Sequence, residues 1–319
     1  MGLLVNGVWH EQDTDFKATD GRYIRADSQF RHWVTADGSS GFPAETGRYH
    51  LYIAISCPWA HRTWIFRTLK RLKDVVSMSI VAPRRTEQGW VFDDRTPQYQ
   101  DTLLGKHALH EIYTLAQPTY SGRVTVPVLW DKKRQTIVNN ESSEIIRMFN
   151  SAFNAFTDDQ TDYYPAPLRP EIDALNDLIY RTVNNGVYRA GFATTQEAYE
   201  EAVDALFATL DQLEVRLASR RYLLGDRLTE ADWRLFPTLV RFDVAYHGAF
   251  KCNVRRLVDY PNLWAYTREL YQIPGIAETV HPEIYKQGYY SPSPLRNPLG
   301  IVPKGPVIDF TAPHGRSAL

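Results

Sequence analysis

The chain has little cysteine, little net charge and no long apolar run, and each scarcity closes off a class of protein. Two cysteines in 319 residues, Cys57 and Cys252, cannot build a disulfide scaffold. Such usage fits a reducing compartment, so a cytoplasmic location is expected. Charge nearly cancels, with 36 Lys and Arg against 37 Asp and Glu, so no global field draws the chain to nucleic acid or to an anionic membrane surface. No apolar stretch reaches spanning length, and the opening MGLLVNGVWHEQ lacks a basic n-region and a long apolar h-region. With no secretory leader expected, the sequon Asn140-Glu141-Ser142 reads as coincidence. No metal site is expected.

Aromatic residues are what the chain has in quantity, with 19 Tyr and 8 Trp. Most such rings belong in cores and interfaces, but some can line a site for flat substrates. A hydrophobic fraction of 44% over this length supports two ordinary domains, or one large one, with a well-buried core. Residues 1–47 are polar and rich in Asp, Gly, Ser and Thr, and read as an irregular extension. RYHLYIAI (48–55) alternates like a strand, PWAHRTWIFRTLKRLK (58–73) carries apolar residues at helical spacing, and VVSMSIVA (75–82) is a second strand. After a long unassigned stretch, TVPVLWD (125–131) and QTIVNN (135–140) are short strands, and ESSEIIRMFN (141–150) opens a helix.

That order, βαβ then ββα over 48–150, is the order of a thioredoxin-like α/β domain. Residues 151–169 read as a linker, and 170–280 as an all-helical domain, where Val203, Leu206, Phe207, Leu210, Leu213 and Leu217 form one apolar stripe. Thr229 and Asp232 have the spacing of a capping box. Residues 281–319 hold seven prolines, at 282, 292, 294, 298, 303, 306 and 313, and read as an extended tail packed over the body.

AISCPWAHR (54–62) is where chemistry enters. Cys57 stands between a strand and a helix, with Pro58 suited to the first helical position. The unpaired N–H groups of a helix start favour thiolate over thiol, and His61 and Arg62 in the first turn add positive charge if they face inward. The effect is large: a thiol of pKa ~8.5 is about 3% ionised at pH 7, one lowered to ~6.5 about 75%. Ala60 occupies the position where a dithiol protein has its second cysteine, so an oxidised Cys57 must wait for an external thiol. Glutathione suits that role. Val126-Pro127 begins a strand with a residue that cannot donate to the ladder, leaving backbone groups for a peptide ligand. Glu141-Ser142 opens a helix where an N–H and a hydroxyl can hold a carboxylate, and Glu141 an ammonium. Cys252 has no comparable setting and reads as structural.

Taken with GRYHLYIAISCPWAHRT (47–63), VTVPVLWDKK (124–133), TIVNNESSEI (136–145), GVYRAGFATTQEAYE (186–200), LTEADWRLFPTLVRFDVAY (228–246), FKCN, DYPNLW and the tail YY…NPLGIVPKGP (289–306), the sequence resembles the glutathionyl-hydroquinone reductases, the Xi class of glutathione transferases. The resemblance covers nearly the whole chain. It implies glutathione-transferase architecture and a homodimer, with no permanently bound cofactor and glutathione as co-substrate. It carries over Cys57 as nucleophile and Tyr188 as proton donor. Tyr246 and Tyr289 become hydrogen-bond donors to the thiolate, and Trp90, Arg123, Val124, Thr125, Val126, Glu141 and Ser142 become the glutathione-binding set. Gly288 stands where the family pattern has a histidine, which leaves the choice between Tyr289 and Tyr290 open. A general thiol transferase or dehydroascorbate reductase, or a non-catalytic module of the same fold, remains an alternative reading of the residues.

Overall fold

Asn6 and Gly7 both take left-handed backbone, φ 48° and 79°, as a tight type I′ hairpin turn demands. They join β1 (Leu3–Val5) to β2 (Val8–His10), with Leu4 paired to Trp9 and fully buried. A Cβ on Gly7 would fall 1.9 Å from the Pro118 carbonyl oxygen, so the turn requires glycine there. The segment expected to be irregular is therefore partly strand, and the signal for it, Asn-Gly between LLV and VWH, was in the sequence. The computed structural model describes residues 2–11, 19–294 and 296–319. These fall into two units, one holding 2–11 and 26–161, the other 19–25 and 162 onward.

In the first unit β3 (Tyr49–Ile53) is buried along its whole length. It leads into α1 (Pro58–Leu69), which starts with proline and buries Trp59, Ile65 and Phe66. β4 (Ser77–Ile80) then pairs parallel with β3. α2 (Leu109–Ala116) lies in the stretch left unassigned; its Glu111 carboxylate accepts the backbone N–H groups of Ala108 (2.9 Å) and His107 (3.1 Å), fixing the helix start. β5 (Gly122–Arg123) pairs with β1, so the N-terminal hairpin braces the chain just before Val124. β6 (Val128–Asp131) runs antiparallel to β3, and β7 (Thr136–Asn139) antiparallel to β6, giving the sheet order β4-β3-β6-β7. α3 (Ser142–Ser151) buries Ile145, Ile146 and Phe149. At the rim of the sheet Arg48 grips the fully buried Asp131, Nη2 to Oδ2 2.5 Å.

The second unit is helical. α4 (Arg169–Ile179) runs into a π-helical turn, Tyr180–Asn184, before α5 (Gly186–Phe192). α6 (Gln196–Leu217) buries the whole predicted stripe, and Thr195 caps it by accepting the Ala198 N–H at 3.3 Å. α7 (Glu230–Leu239) opens on the expected box, Asp232 accepting the Thr229 N–H at 2.8 Å. A second π turn, Phe242–Tyr246, leads to the short α8 (His247–Ala249), followed by α9 (Pro261–Tyr271).

α10 (Pro282–Tyr289) corrects the expectation of an extended tail from 281. Pro282 is the first residue of that helix, where its missing N–H costs nothing, rather than a helix breaker. Beyond it the chain is irregular and anchored on its own unit. Phe310 stacks on Tyr271 at 5.1 Å, and the Arg316 guanidinium donates to the carbonyls of Leu217, Arg220 and Arg221 at the end of α6. No helix among the described residues is long and apolar enough to cross a membrane.

Candidate active site

Cys57 is the N-cap of α1. Its N–H donates to the Ala54 carbonyl and its carbonyl accepts the His61 N–H, both at 3.0 Å, which holds the residue at the mouth of the helix. The side chain is half-buried, with Sγ 3.6 Å from the Val126 carbonyl oxygen. Val126-Pro127 is a cis peptide, and among the described residues nothing accepts from the Val126 N–H. The predicted segments 123–126 and 141–142 are thus brought to the thiol's side of the sheet by one loop and one helix start.

A residue the sequence did not single out holds those two segments together. Tyr113, fully buried on α2, accepts from the Thr125 N–H (3.2 Å) and from Asn140 Nδ2 (3.0 Å), and donates to the Thr125 carbonyl (2.9 Å). Asn140 in turn pairs with the Phe30 backbone in both directions, at 3.2 and 3.1 Å. Glu141 caps α3, its Oε1 accepting from the Ser143 N–H at 3.0 Å and its Oε2 from Ser28 Oγ at 3.2 Å. The Ser142 N–H, first in the helix, has no acceptor among the described residues. Arg62 stacks on Trp59 at 4.6 Å and reaches Ser142 Oγ at 3.5 Å, bringing positive charge to the start of α3.

Trp90 is buried next to the bridge between Val91 and Ala108, with the Arg85 guanidinium 4.2 Å over its ring. Trp9 of the hairpin donates to the Glu87 carbonyl at 2.9 Å. Arg123 lies in β5, and its carbonyl accepts from the buried Tyr120 hydroxyl at 3.1 Å; Val124 beside it is buried.

The second unit gathers the three tyrosines. Tyr289 Oη is 2.7 Å from Tyr188 Oη and 2.9 Å from Tyr246 Oη. The three hydroxyls, assigned by the resemblance to two separate tasks, form one chain. Of the two neighbours left open, Tyr289 joins it, whereas the Tyr290 hydroxyl lies against Gly248. Burial pushes Tyr246 and Tyr289 well above the usual phenol range, with neighbouring tyrosines adding to the rise and Arg241 opposing it, so both stay protonated. Phe192 and Phe250 complete an aromatic wall, Phe250 lying 5.3 Å from Tyr188 and 5.5 Å from both Tyr246 and Tyr289. Gly191 makes room for it, since a Cβ there would sit 2.2 Å from Phe250 Cγ. Cys252 is fully buried, and burial pushes its thiol up, away from reactivity.

Family models for the glutathione S-transferase N-terminal domain and C-terminal domain match residues 56–152 and 196–269. The glutathionyl-hydroquinone reductase YqjG of Escherichia coli K12 is 53% identical over 99% of this chain and 98% of its own. The chain belongs to the glutathionyl-hydroquinone reductases, the Xi class of glutathione transferases. A second member of the group, the glutathionyl-hydroquinone reductase PcpF of Sphingobium chlorophenolicum, is 54% identical over 96% of each chain. Among solved structures, glutathione-bound YqjG superposes with a TM-score of 0.90 at 51% identity, covering 98% of both chains. The Xi class transferase of Natrialba magadii gives 0.93 at 48% identity, over 100% of this chain and 97% of that one.

Within this glutathionyl-hydroquinone reductase the predicted thiol, cis-proline loop and helix start share one unit, and the predicted tyrosines share the other. Tyr113, Asn140 and Arg241 were missed. Tyr113 and Arg241 each stand inside an apolar pattern, where sequence spacing points to core packing, and Asn140 stands in a polar run with no local mark of its tertiary partner.

Proposed function

We propose that the protein reduces glutathionyl-hydroquinones to hydroquinones with glutathione, through a mixed disulfide on Cys57. The observation that carries this reading is the half-buried Cys57 thiol at a helix N-terminus, beside a cis-proline loop with an unsatisfied N–H and no cysteine at position 60. Trp90, Arg123, Val124, Thr125, Val126, Glu141 and Ser142 hold glutathione. The Val126 N–H meets a peptide carbonyl, and the Ser142 N–H and hydroxyl meet the γ-glutamyl carboxylate.

The substrate sulfur is bonded to an aromatic carbon, which leaves poorly as a bare carbanion. Tyr188 protonates that carbon as the ring shifts to its keto form and the phenol proton is released. The Cys57 thiolate then attacks the sulfur. The sulfur–sulfur bond forms, the carbon–sulfur pair restores the aromatic ring and leaves the charge on the ring oxygen, that oxygen takes a proton from water, and the hydroquinone leaves. A second glutathione attacks the mixed disulfide, releasing oxidised glutathione and the Cys57 thiolate. Tyr246 and Tyr289 keep the hydroxyl chain protonated and, by the family assignment, donate to the thiolate. We place the enzyme in the cytoplasm as a homodimer, on its unpaired thiols and its family.

Mass spectrometry after treatment with glutathionyl-menadione tests the proposal. A glutathione adduct on Cys57 with release of menadiol is expected, and Cys57→Ala is expected to lose both while still binding glutathione. Tyr188→Phe is expected to slow menadiol release about 100-fold and to leave exchange with a simple disulfide nearly intact. Equal slowing of both reactions would point to a general thiol transferase.

A further inference from the structure

A buried phenol that gives away its proton becomes an anion where water is scarce, and it needs a positive charge nearby. Arg241 is placed to provide one. It is a fully buried cation at the end of α7, and its carbonyl accepts the Tyr246 N–H at 3.4 Å across the π turn that follows. That turn is one residue wider than an α turn, and it puts Arg241 and Tyr246 on the same face. The guanidinium lies 3.8 Å over the Tyr285 ring, and Tyr285 is one turn before Tyr289 on α10. Its Nη1 donates to the Pro237 carbonyl at 2.8 Å, which fixes the plane of the group.

After burial, which opposes its charge, Arg241 interacts most strongly with Tyr285, Tyr289, Tyr246 and Tyr188, in that order. His281, at the start of α10, is the other titratable group that feels it, and burial keeps that ring neutral. The three hydroxyls meet at Tyr289, whose Oη lies 2.7 Å from Tyr188 Oη and 2.9 Å from Tyr246 Oη. Tyr246 is fully buried and Tyr188 half-buried, so Tyr188 is the more open end of the cluster.

We propose that Arg241 is a positioning residue for the acid step, the fixed counter-charge for the tyrosinate formed when Tyr188 protonates the substrate carbon. The inference rests on the proposed function and adds to it the origin of the acid's strength. Tyr188 passes its proton to the carbon, the negative charge is shared with Tyr289 and Tyr246 through their hydrogen bonds, and the released phenol proton restores Tyr188. No oxidant or further reactant is involved in this step. Thiol–disulfide exchange creates no tyrosinate, so the two reactions respond differently to loss of Arg241.

The test compares single turnovers of the full-length enzyme with glutathionyl-menadione and with the mixed disulfide of glutathione and mercaptoethanol. Arg241→Gln is expected to slow carbon–sulfur cleavage about 30-fold and disulfide exchange less than about 2-fold. Arg241→Lys is expected to recover cleavage to within about 5-fold of the parent. In a Tyr188→Phe background Arg241→Gln is expected to add no selective loss, because no tyrosinate forms. Equal slowing of both reactions, or a full additional loss in that background, would overturn the proposal and leave Arg241 a packing residue. Should Arg241→Gln fail to fold, Tyr285→Leu, which removes the ring that holds the guanidinium, replaces it; a selective loss supports the idea and an unselective one overturns it. If the parent forms no adduct from glutathionyl-menadione, or if Tyr188→Phe cleaves at the parent rate, the proposed function fails first, and this inference with it.

Discussion

Tyr113→Phe removes one oxygen atom and asks whether the glutathione cradle depends on it. The ring contacts survive the change, since Phe30 and Tyr120 pack on the ring at 5.8 and 5.1 Å. Its hydroxyl contacts do not: the bond from the Thr125 N–H, the one to the Thr125 carbonyl, the longer one with Thr125 Oγ1, and the one from Asn140 Nδ2. A bond of this kind contributes roughly 1 kcal/mol net, and a buried partner left unsatisfied costs ~1–3 kcal/mol. Thr125 is half-buried and water can reach part of it, whereas Asn140 is buried. The expected loss of stability is therefore about 2–3 kcal/mol. The functional loss comes from release of the 124–127 loop and the 139–142 turn from their common anchor, so the Val126 and Ser142 N–H groups no longer face the ligand together. A tenfold weaker glutathione affinity, about 1.4 kcal/mol, is expected. Urea unfolding followed by circular dichroism reads the first quantity. Calorimetric titration of glutathione into a Cys57→Ala background, which cannot turn over, reads the second. A stability change under about 0.5 kcal/mol would refute the hydrogen-bond argument. A large stability change with unaltered affinity would refute the link from Tyr113 to the ligand.

Acid weakens the sheet through His50, whose ring is buried beside Tyr52 and bonded through Nδ1 to Ser77 Oγ at 2.8 Å. Burial lowers its pKa to about 4, below the unfolded value near 6.5, so its contribution is complete above pH ~6.5 and is lost as the pH falls toward 4, about 3 kcal/mol in all. Urea midpoints at a series of pH values should show that slope in the parent and lack it in His50→Gln; parallel curves would count against it. Asp131→Asn should cost about 2–3 kcal/mol in thermal or urea unfolding, because it leaves the buried Arg48 with only the more exposed Glu45 carboxylate, 2.8 Å from Nη1. Burial pushes the Asp131 carboxyl up, but Arg48 and the backbone N–H groups of Lys133 and Arg134 outweigh it and leave it below the usual range. That pair therefore resists acid down to below about pH 4, and its loss appears only there.

The strands and helices around Cys57 were legible because each carries a local signature: alternation in RYHLYIAI, proline at the first turn of α1, an apolar face on α3. Three parts were not. The β1–β2 hairpin is only eight residues, too short for alternation to stand out, and its Asn-Gly turn was the one available clue. α10 was hidden because a proline in a proline-rich stretch looks like interruption, whereas the spacing of Tyr285 and Tyr289 was the helical signal. The hydroxyl chain and the Tyr113 anchor are tertiary: they join residues 101 and 12 positions apart through single oxygen atoms, and nothing in composition or periodicity encodes such meetings. The resemblance supplied the tyrosines by motif, and the geometry alone shows that they are connected.

The backbone beside the thiol also bears on the choice between a binding enzyme and an inert module of the same fold. Over nine-tenths of buried N–H groups in folded proteins find an acceptor, since leaving one dry and unpaired costs on the order of 1–3 kcal/mol. The Val126 and Ser142 N–H groups find none within the described chain, although both residues are buried. The same Tyr113 hydroxyl fixes the chain just before each of them: Thr125 precedes Val126, and Asn140 stands two residues before Ser142. A scaffold with no ligand gains nothing from two unsatisfied donors held in register next to a half-buried sulfur. In the proposed complex a γ-glutamyl peptide, with a carbonyl at one end of its cysteine and a carboxylate beyond, would give each donor a partner and set its own sulfur toward Cys57.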